Sequence, residues 1–191
     1  TGLPSGNILG IPWRVALAMQ ADGWILRQDI IWNHVGSMPE SVMNRCSKSH
    51  EYIFLFAKKK GYFYDAEAIK ERARDGSNSK SNKRSVWTVA SDGYPGSHFA
   101  AYPPKLIEPC IRAGTSSYGA CAKCGAPWKR ITKHRSIRTR PGIDVKPGKD
   151  EVCGTEARYR SVRITKTVGW RPTCECNGKL AKKTVLSGCR I

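Results

Sequence analysis

Apolar residues recur at helical spacing near the start of the chain. Ile8, Leu9, Trp13, Ala16, Leu17 and Gln20 share one stripe, widened by Ile11, Val15 and Met19. That period predicts an amphipathic helix, with Gly23 as its end. Trp24 to Trp32 reads as a strand, and residues 33–49 are small and polar, a long loop. Glu51 to Ala57 is the most apolar strand candidate. Lys58-Lys59-Lys60-Gly61 predicts a turn, with Tyr62-Phe63-Tyr64 pairing back as a hairpin. Arg72 to Arg84 is polar and is expected to be mobile or to order only on a partner. Ser85 to Val89 reads as a short strand. Pro103 and Pro104 open a helix through Ile111 that turns Leu106, Ile107 and Cys110 toward a core, with Gly114 ending it. The order helix, strand, loop, hairpin predicts an α/β sheet with an antiparallel edge. From Tyr118 onward the pattern changes to cysteine pairs, basic residues and short β-rich stretches.

Composition narrows the class. The 191 residues are 40% hydrophobic and 25% charged, which excludes a disordered tail, a membrane protein and a collagen-like chain. Lys and Arg number 33 against 15 Asp and Glu, a net charge of +18. Residues 1–120 hold +5 of it and residues 121–191 hold +13. A one-sided excess of that size points to a polyanion, nucleic acid or an acidic membrane surface; a solvated surface usually mixes both signs. Thr1 to Ile11 lacks the charged start and apolar core of a secretory signal. No apolar run approaches the roughly 18 residues of a membrane span. The first residue is Thr, and both ends read as cut. The expectation is an interior piece of a longer intracellular protein.

The sharpest chemical signal is Cys121-x-x-Cys124 with Cys174-x-Cys176. Two tight pairs can supply four thiolates to one tetrahedral zinc. Gly125 suits a knuckle turn that points backbone amides at sulfur. The 49-residue insert between the pairs is long, and Cys153 or His134 within it could replace a ligand. The alternatives are a redox pair, which Gly125-Ala126-Pro127 discourages because no helix follows, or free thiols. Cys46, Cys110 and Cys189 read as lone packing thiols.

Other chemistries fail on their motifs. A zinc deaminase needs H-x-E and then P-C-x-x-C; here His50 and Glu51 are adjacent and Ala120 precedes Cys121. There is no Walker loop, no G-x-G-x-x-G and no G-x-S-x-G. His98 to Ile111 is a loop feeding a helix N-terminus. It suits either a packed turn or a ligand with a carboxylate.

Several strings, in order, resemble one family. They are Gly10-Ile11-Pro12-Trp13-Arg14-Val15-Ala16-Leu17-Ala18, Ala21-Asp22-Gly23-Trp24, Leu26-Arg27-x-Asp29-Ile30-Ile31-Trp32, Met38-Pro39-Glu40-Ser41-Val42 and Ser49-His50-Glu51-Tyr52-Ile53-Phe54-Leu55. Together they resemble the DNA amino-methyltransferases of the β arrangement, enzymes of restriction-modification systems and phages. His98 to Ile111 is similar to that family's motif X. The resemblance spans about Thr1 to Gly114. It implies S-adenosylmethionine as cofactor, held in part by His98, Phe99, Ala100, Tyr102 and Pro103. It implies double-stranded DNA as partner, with a base flipped out of the stack for methylation at adenine N6 or cytosine N4. Ser37, Glu40, Arg45, Lys48 and His50 become candidate DNA contacts, with an ordinary polar loop as the plain alternative. The hairpin over Glu51 to Tyr64 would be the antiparallel edge of a class I methyltransferase sheet.

Two expected motifs are missing from the chain. One is the catalytic D-P-P-Y or S-P-P-Y, so no catalytic residue is assigned. The other is the glycine-rich F-x-G-x-G cofactor loop, since Val185-Leu186 leads into Ser187-Gly188-Cys189. The loop after Trp32 also departs, with Asn33-His34-Val35-Gly36-Ser37 where relatives carry a basic residue and Asn-Pro. The expected organisation is a partial methyltransferase domain over residues 1–117, a basic zinc-ribbon-like module over 118–182, and the start of a further strand over 183–191. The chain alone is expected to be inactive. Two rival readings are a non-enzymatic basic zinc module that binds nucleic acid and, more weakly, a protein-docking tail.

Overall fold

The computed structural model describes residues 2–73, 80–91, 101–139 and 160–176. These fall into two compact units. The first contains residues 2–69, 83–91 and 101–115; the second contains 70–73, 80–82, 116–139 and 160–176.

The first unit is built on a three-stranded mixed sheet whose first strand in the chain lies at the centre. Strand β1 (Ile25–Val35) pairs antiparallel with β2 (His50–Ala57) and parallel with β5 (Val86–Ala90). Strand alternation sends Ile30 and Trp32 of β1 and Ile53 of β2 to one face. Trp32 lies directly beside Trp87 of β5 in the parallel register. Helix α2 (Pro104–Gly114) lays Leu106 on this pair. Trp32, Trp87 and Leu106 are all buried, and Ile30, Ile53, Val89 and Cys110 pack around them. Both indoles also have their N–H satisfied. Trp32 Nε1 donates to the Val89 carbonyl at 2.9 Å, and Trp87 Nε1 to the Arg84 carbonyl at 2.6 Å.

Helix α1 (Ile11–Ala21) meets the other face of the sheet. Trp13 makes edge contacts with Tyr52 and Phe54, at centroid distances of 5.9 and 5.1 Å. Asp22 N–H closes the helix on Ala18, and Gly23 follows at φ 93°, the left-handed conformation that favours glycine. The expected core stripe is only partly realised. Ala16 is buried, but Ile8, Ile11, Val15 and Leu17 are exposed. Apolar positions encircle this helix, and among the described residues only one side of it is covered.

One expectation is corrected. Tyr62-Phe63-Tyr64 does not form a strand against Glu51 to Ala57. The antiparallel partner of β2 is β1, reached through the 36–49 loop. Strand β1 takes the centre of the sheet, between β2 and β5, and Tyr62 to Tyr64 stay outside the ladder. The aromatic triplet instead lines an apolar cavity of about 410 Å³ that also contains Trp24, Phe54, Trp87 and Cys110. Burial raises the pKa of both Tyr64 and Cys110 there.

The second unit is built on a long antiparallel ribbon of β6 (Lys129–Thr139) and β7 (Arg160–Arg171). A bulge near Val168 shifts the register between Ile131 and Thr132. Its base is aromatic. Tyr118 stacks on Trp170 with ring centroids 5.4 Å apart and touches Trp128 at 5.4 Å, while the Arg130 guanidinium lies 4.5 Å over Trp170. A small pair, β3 (Glu71–Arg72) with β4 (Lys80–Ser81), belongs to the same unit.

Candidate functional site

Two places concentrate chemistry, one in each unit. In the first unit, β1 continues past Trp32 to Val35 and pairs Asn33 with His50. The His34 N–H donates to the Ser49 carbonyl at 2.8 Å. The 36–49 loop is therefore pinned where it leaves β1 and where it enters β2. A cavity of about 350 Å³ lies there, lined by Pro12, His34, Ser37, Glu40, Lys48, His50, Glu51 and Tyr52. Four of the five candidate DNA contacts thus converge on it. The fifth, Arg45, pairs with the Glu40 carboxylate and donates to the Cys46 carbonyl at 3.2 Å. That pair braces the loop locally and is solvent-exposed. Arg45→Ala is expected to change stability by less than about 1 kcal/mol in urea unfolding.

His34, Glu51 and Tyr52 were not expected in this group. The signal was the strand period itself: extending β1 by three residues brings His34 beside the start of β2. Its ring packs against Trp32 at a centroid distance of 3.8 Å, and Nδ1 lies 3.4 Å from Ser91 Oγ. His34 Nε2 is buried, 4.0 Å from Glu51 Oε1, with no hydrogen-bond partner. An unsatisfied buried nitrogen costs on the order of 1–3 kcal/mol, which a polar ligand or water atom would offset. His50 Nε2 lies 3.4 Å from Tyr52 Oη. Carboxylates, an ammonium, two imidazoles and two hydroxyls together offer both donors and acceptors to a polar ligand.

Of the candidate cofactor residues, His98, Phe99 and Ala100 lie outside the described residues. Pro103 is fully buried and caps α2, and Tyr102 is exposed just before it. Cys153, Cys189 and the strand expected near Val185 also lie outside the described residues.

The second unit gathers the four cysteines. The sulfurs of Cys121, Cys124, Cys174 and Cys176 all lie within 4.8 Å of one another. Topology explains the convergence. Lys129 pairs with Arg171, so closing the ribbon brings the turn before β6 against the turn after β7. Thr173 Oγ1 ties the two turns by donating to the Pro127 carbonyl at 2.7 Å. In the first turn Gly125 N–H donates to the Cys121 carbonyl at 2.8 Å, and φ of 72° at Gly125 makes glycine the residue of choice. His134 is not part of the cluster; its Nδ1 lies 3.0 Å from Thr165 Oγ1 on the ribbon.

The thiols are electrostatically unequal. Amides of Cys124 and Lys123 point at the Cys121 sulfur and lower its pKa to about 7. Cys176 is pushed up to about 12 by its hydrogen bonds to Cys124 and Cys174 and by burial. The Cys176 amide pulls Cys174 down, but neighbouring thiols and burial leave it raised. One sulfur ionises readily and its neighbours then resist, as expected of like charges crowded together. A divalent cation reverses that resistance. A tetrahedral zinc with Zn–S of about 2.3 Å needs sulfurs about 3.8 Å apart, so the cluster fits a metal with little contraction.

Comparison with known proteins bears on the first unit. The family model described as DNA methylase, covering N6 and N4 methyltransferases, matches residues 5–121. The chain belongs to the DNA methylase family. The matched segment includes α1, the whole β2-β1-β5 sheet and α2, and with them the cavity around His34 and His50. Among curated relatives, the chain is 50% identical over 118 residues to the type II methyltransferase M.SmaI of Serratia marcescens, covering 62% of this chain and 40% of that protein. It is 51% identical over 114 residues to the type II methyltransferase M.XycI of Xanthomonas campestris pv. cyanopsidis, covering 60% and 37%. It is 47% identical over 114 residues to M.Cfr9I of Citrobacter freundii, again covering 60% and 37%. The chain thus spans about two fifths of the length of these relatives. Residues 122–191, with most of the cysteine module, lie beyond the DNA methylase match. Among the described residues no helix is long and apolar enough to cross a membrane.

Proposed function

We propose that this chain forms part of a site-specific DNA methyltransferase acting on an exocyclic base nitrogen, adenine N6 or cytosine N4, of double-stranded DNA. The observation that carries the reading is the DNA methylase match over residues 5–121, reinforced by type II methyltransferases about half identical to it. S-adenosylmethionine supplies an electrophilic methyl group.

The chain's own residues serve binding and orientation. Ser37, Glu40, Lys48 and His50, which line one cavity, are assigned as DNA-facing groups, with Lys48 suited to a phosphate and the others to polar base or sugar edges. His34, with its free Nε2, joins them as a group that a flipped nucleotide or a water would satisfy. The segment from His98 to Pro103 is assigned to the cofactor's amino-acid end. The four cysteines are assigned to one structural zinc in a ribbon-like module over residues 118–182, separate from the methyltransferase part over 1–117.

The test is a chimera in which residues 5–121 replace the matching segment of M.SmaI. Tritium transfer from S-adenosylmethionine to duplex DNA is expected to survive the exchange. Lys48→Ala and His50→Ala in that chimera are expected to cost about tenfold each in kcat/KM, the worth of one polar contact of about 1.4 kcal/mol. A folded chimera without methyl transfer would sink the reading.

A further inference from the structure

The β6–β7 ribbon has a charge distribution that its own fold does not explain. Its 23 strand residues include nine Lys or Arg and no Asp or Glu. The antiparallel register sets Lys129 directly opposite Arg171 and Lys133 directly opposite Lys166. Like charges facing each other across an antiparallel pair destabilise it. Strand alternation puts Lys129, Lys133, Arg135, Lys166 and Arg171 on one face, and all five are exposed. None of these five forms an ion pair with another described residue. Exposed Ile131 and Ile164 lie between them. The opposite face is less charged: Arg130 and Arg163 share it with Thr132, Thr165, Thr167, His134 and Ser136, and Arg130 is engaged there, donating to Thr167 Oγ1 at 2.9 Å.

We infer that this cationic face is a second DNA-binding surface, which grips the phosphates of duplex DNA independently of sequence. The major groove of B-DNA admits a two-stranded ribbon. Phosphate contacts relieve the self-repulsion built into Lys133 and Lys166, so a pairing that costs stability in the free chain gains affinity in the complex. The choice of duplex DNA over other polyanions rests on the methyltransferase reading; the charged surface does not. The surface lies outside the segment matched to the DNA methylase family, so it would add to whatever grip the family fold provides.

The experiment uses the full chain and a fluorescein-labelled mixed-sequence duplex, with anisotropy titrations from low to moderate salt. Replacing Lys133, Arg135 and Lys166 by Gln together is expected to reduce the slope of log K against log salt by about 2 to 3, one unit or slightly less for each lost phosphate contact. A second variant separates folding from binding. Lys166→Glu turns the like-charge pair with Lys133 into an opposite-charge pair, so it is expected to raise the melting temperature while weakening DNA binding. Affinity and slope unchanged in both variants would overturn the proposal. So would a wild-type chain that prefers single-stranded RNA or anionic phosphatidylserine vesicles to the duplex. No methyl transfer is measured, so loss of activity in the M.SmaI chimera leaves this outcome readable on its own.

Discussion

Chelating the metal from the loaded chain is expected to unfold the second unit while leaving the first unit's sheet in place. Little else can hold the base of the ribbon closed. A structural zinc in a thiolate site contributes on the order of 10–16 kcal/mol of apparent folding free energy at neutral pH, as much as the whole net stability of a typical domain, about 5–15 kcal/mol. Other ties among the described residues include the Tyr118–Trp170 stack, the Arg130–Trp170 contact and the Thr173–Pro127 bond, each worth about 1 kcal/mol. Like-charge pairs along the strands oppose them. Cys121→Ser, which removes the most buried ligand, is expected to act like chelation. One zinc per chain by plasma emission, and loss of near-ultraviolet signal from Trp128 and Trp170 on adding a strong chelator, are the measurements. A chain that binds no zinc, or keeps that signal without it, rules out the metal.

The pH dependence follows from the thiols. Metal binding requires thiolates, and Cys121 ionises near neutrality in the metal-free cluster, with a pKa of about 7. Its folded value lies below the ordinary thiol value of 9.0. Its contribution is therefore fully present above pH 9 and is lost as pH falls through 7. Cys176 has the opposite sign: with a folded value near 12, its ionisation above pH 9 favours the unfolded chain. Zinc affinity is expected to weaken steeply below neutrality as protons compete for all four sulfurs.

The elements of the first unit were legible because each is announced locally. Period and punctuation mark α1 and α2, and apolar runs mark β1, β2 and β5. Pairing was not legible. The short Lys58–Gly61 turn favours a hairpin with Tyr62 to Tyr64, yet β2 pairs with β1 instead. The same limit hid half of the cavity. Ser37, Glu40, Lys48 and His50 could be named from the loop, but His34 and Glu51 join them only once β1 and β2 are in register. In the second unit the 49-residue insert between the cysteine pairs suggested a costly loop closure. Strand pairing from Lys129–Arg171 onward offsets that cost, because 23 of the insert's residues are the two strands of the ribbon. Local spacing therefore revealed the four cysteines, while the element that unites them is a long-range contact with no local signature.

Trp87→Ala is expected to cost about 3–5 kcal/mol of stability, the range for deleting a buried large aromatic. The site cannot collapse easily. Trp87 is 6% exposed and lies between Trp32 and Leu106, so the hole would be walled by a strand on one side and α2 on another. The substitution also leaves the Arg84 carbonyl without its indole donor. The consequence reaches the candidate site through register. Trp32 and Trp87 are side-by-side partners in the parallel pair, and the next positions along it place Asn33 beside Thr88 and His34 beside Val89. Loosening β5 frees Asn33 from Thr88 Oγ1 and the Ser91 hydroxyl from His34 Nδ1, so the imidazole that lines the cavity loses one of its supports. Urea unfolding followed by tryptophan fluorescence measures the stability term. Met43→Ala, at a fully exposed position, is the control and is expected to change stability by less than about 0.5 kcal/mol. A Trp87→Ala loss under about 1 kcal/mol would mean that the indole cluster does not hold β5 against β1, and that the position of His34 has another cause.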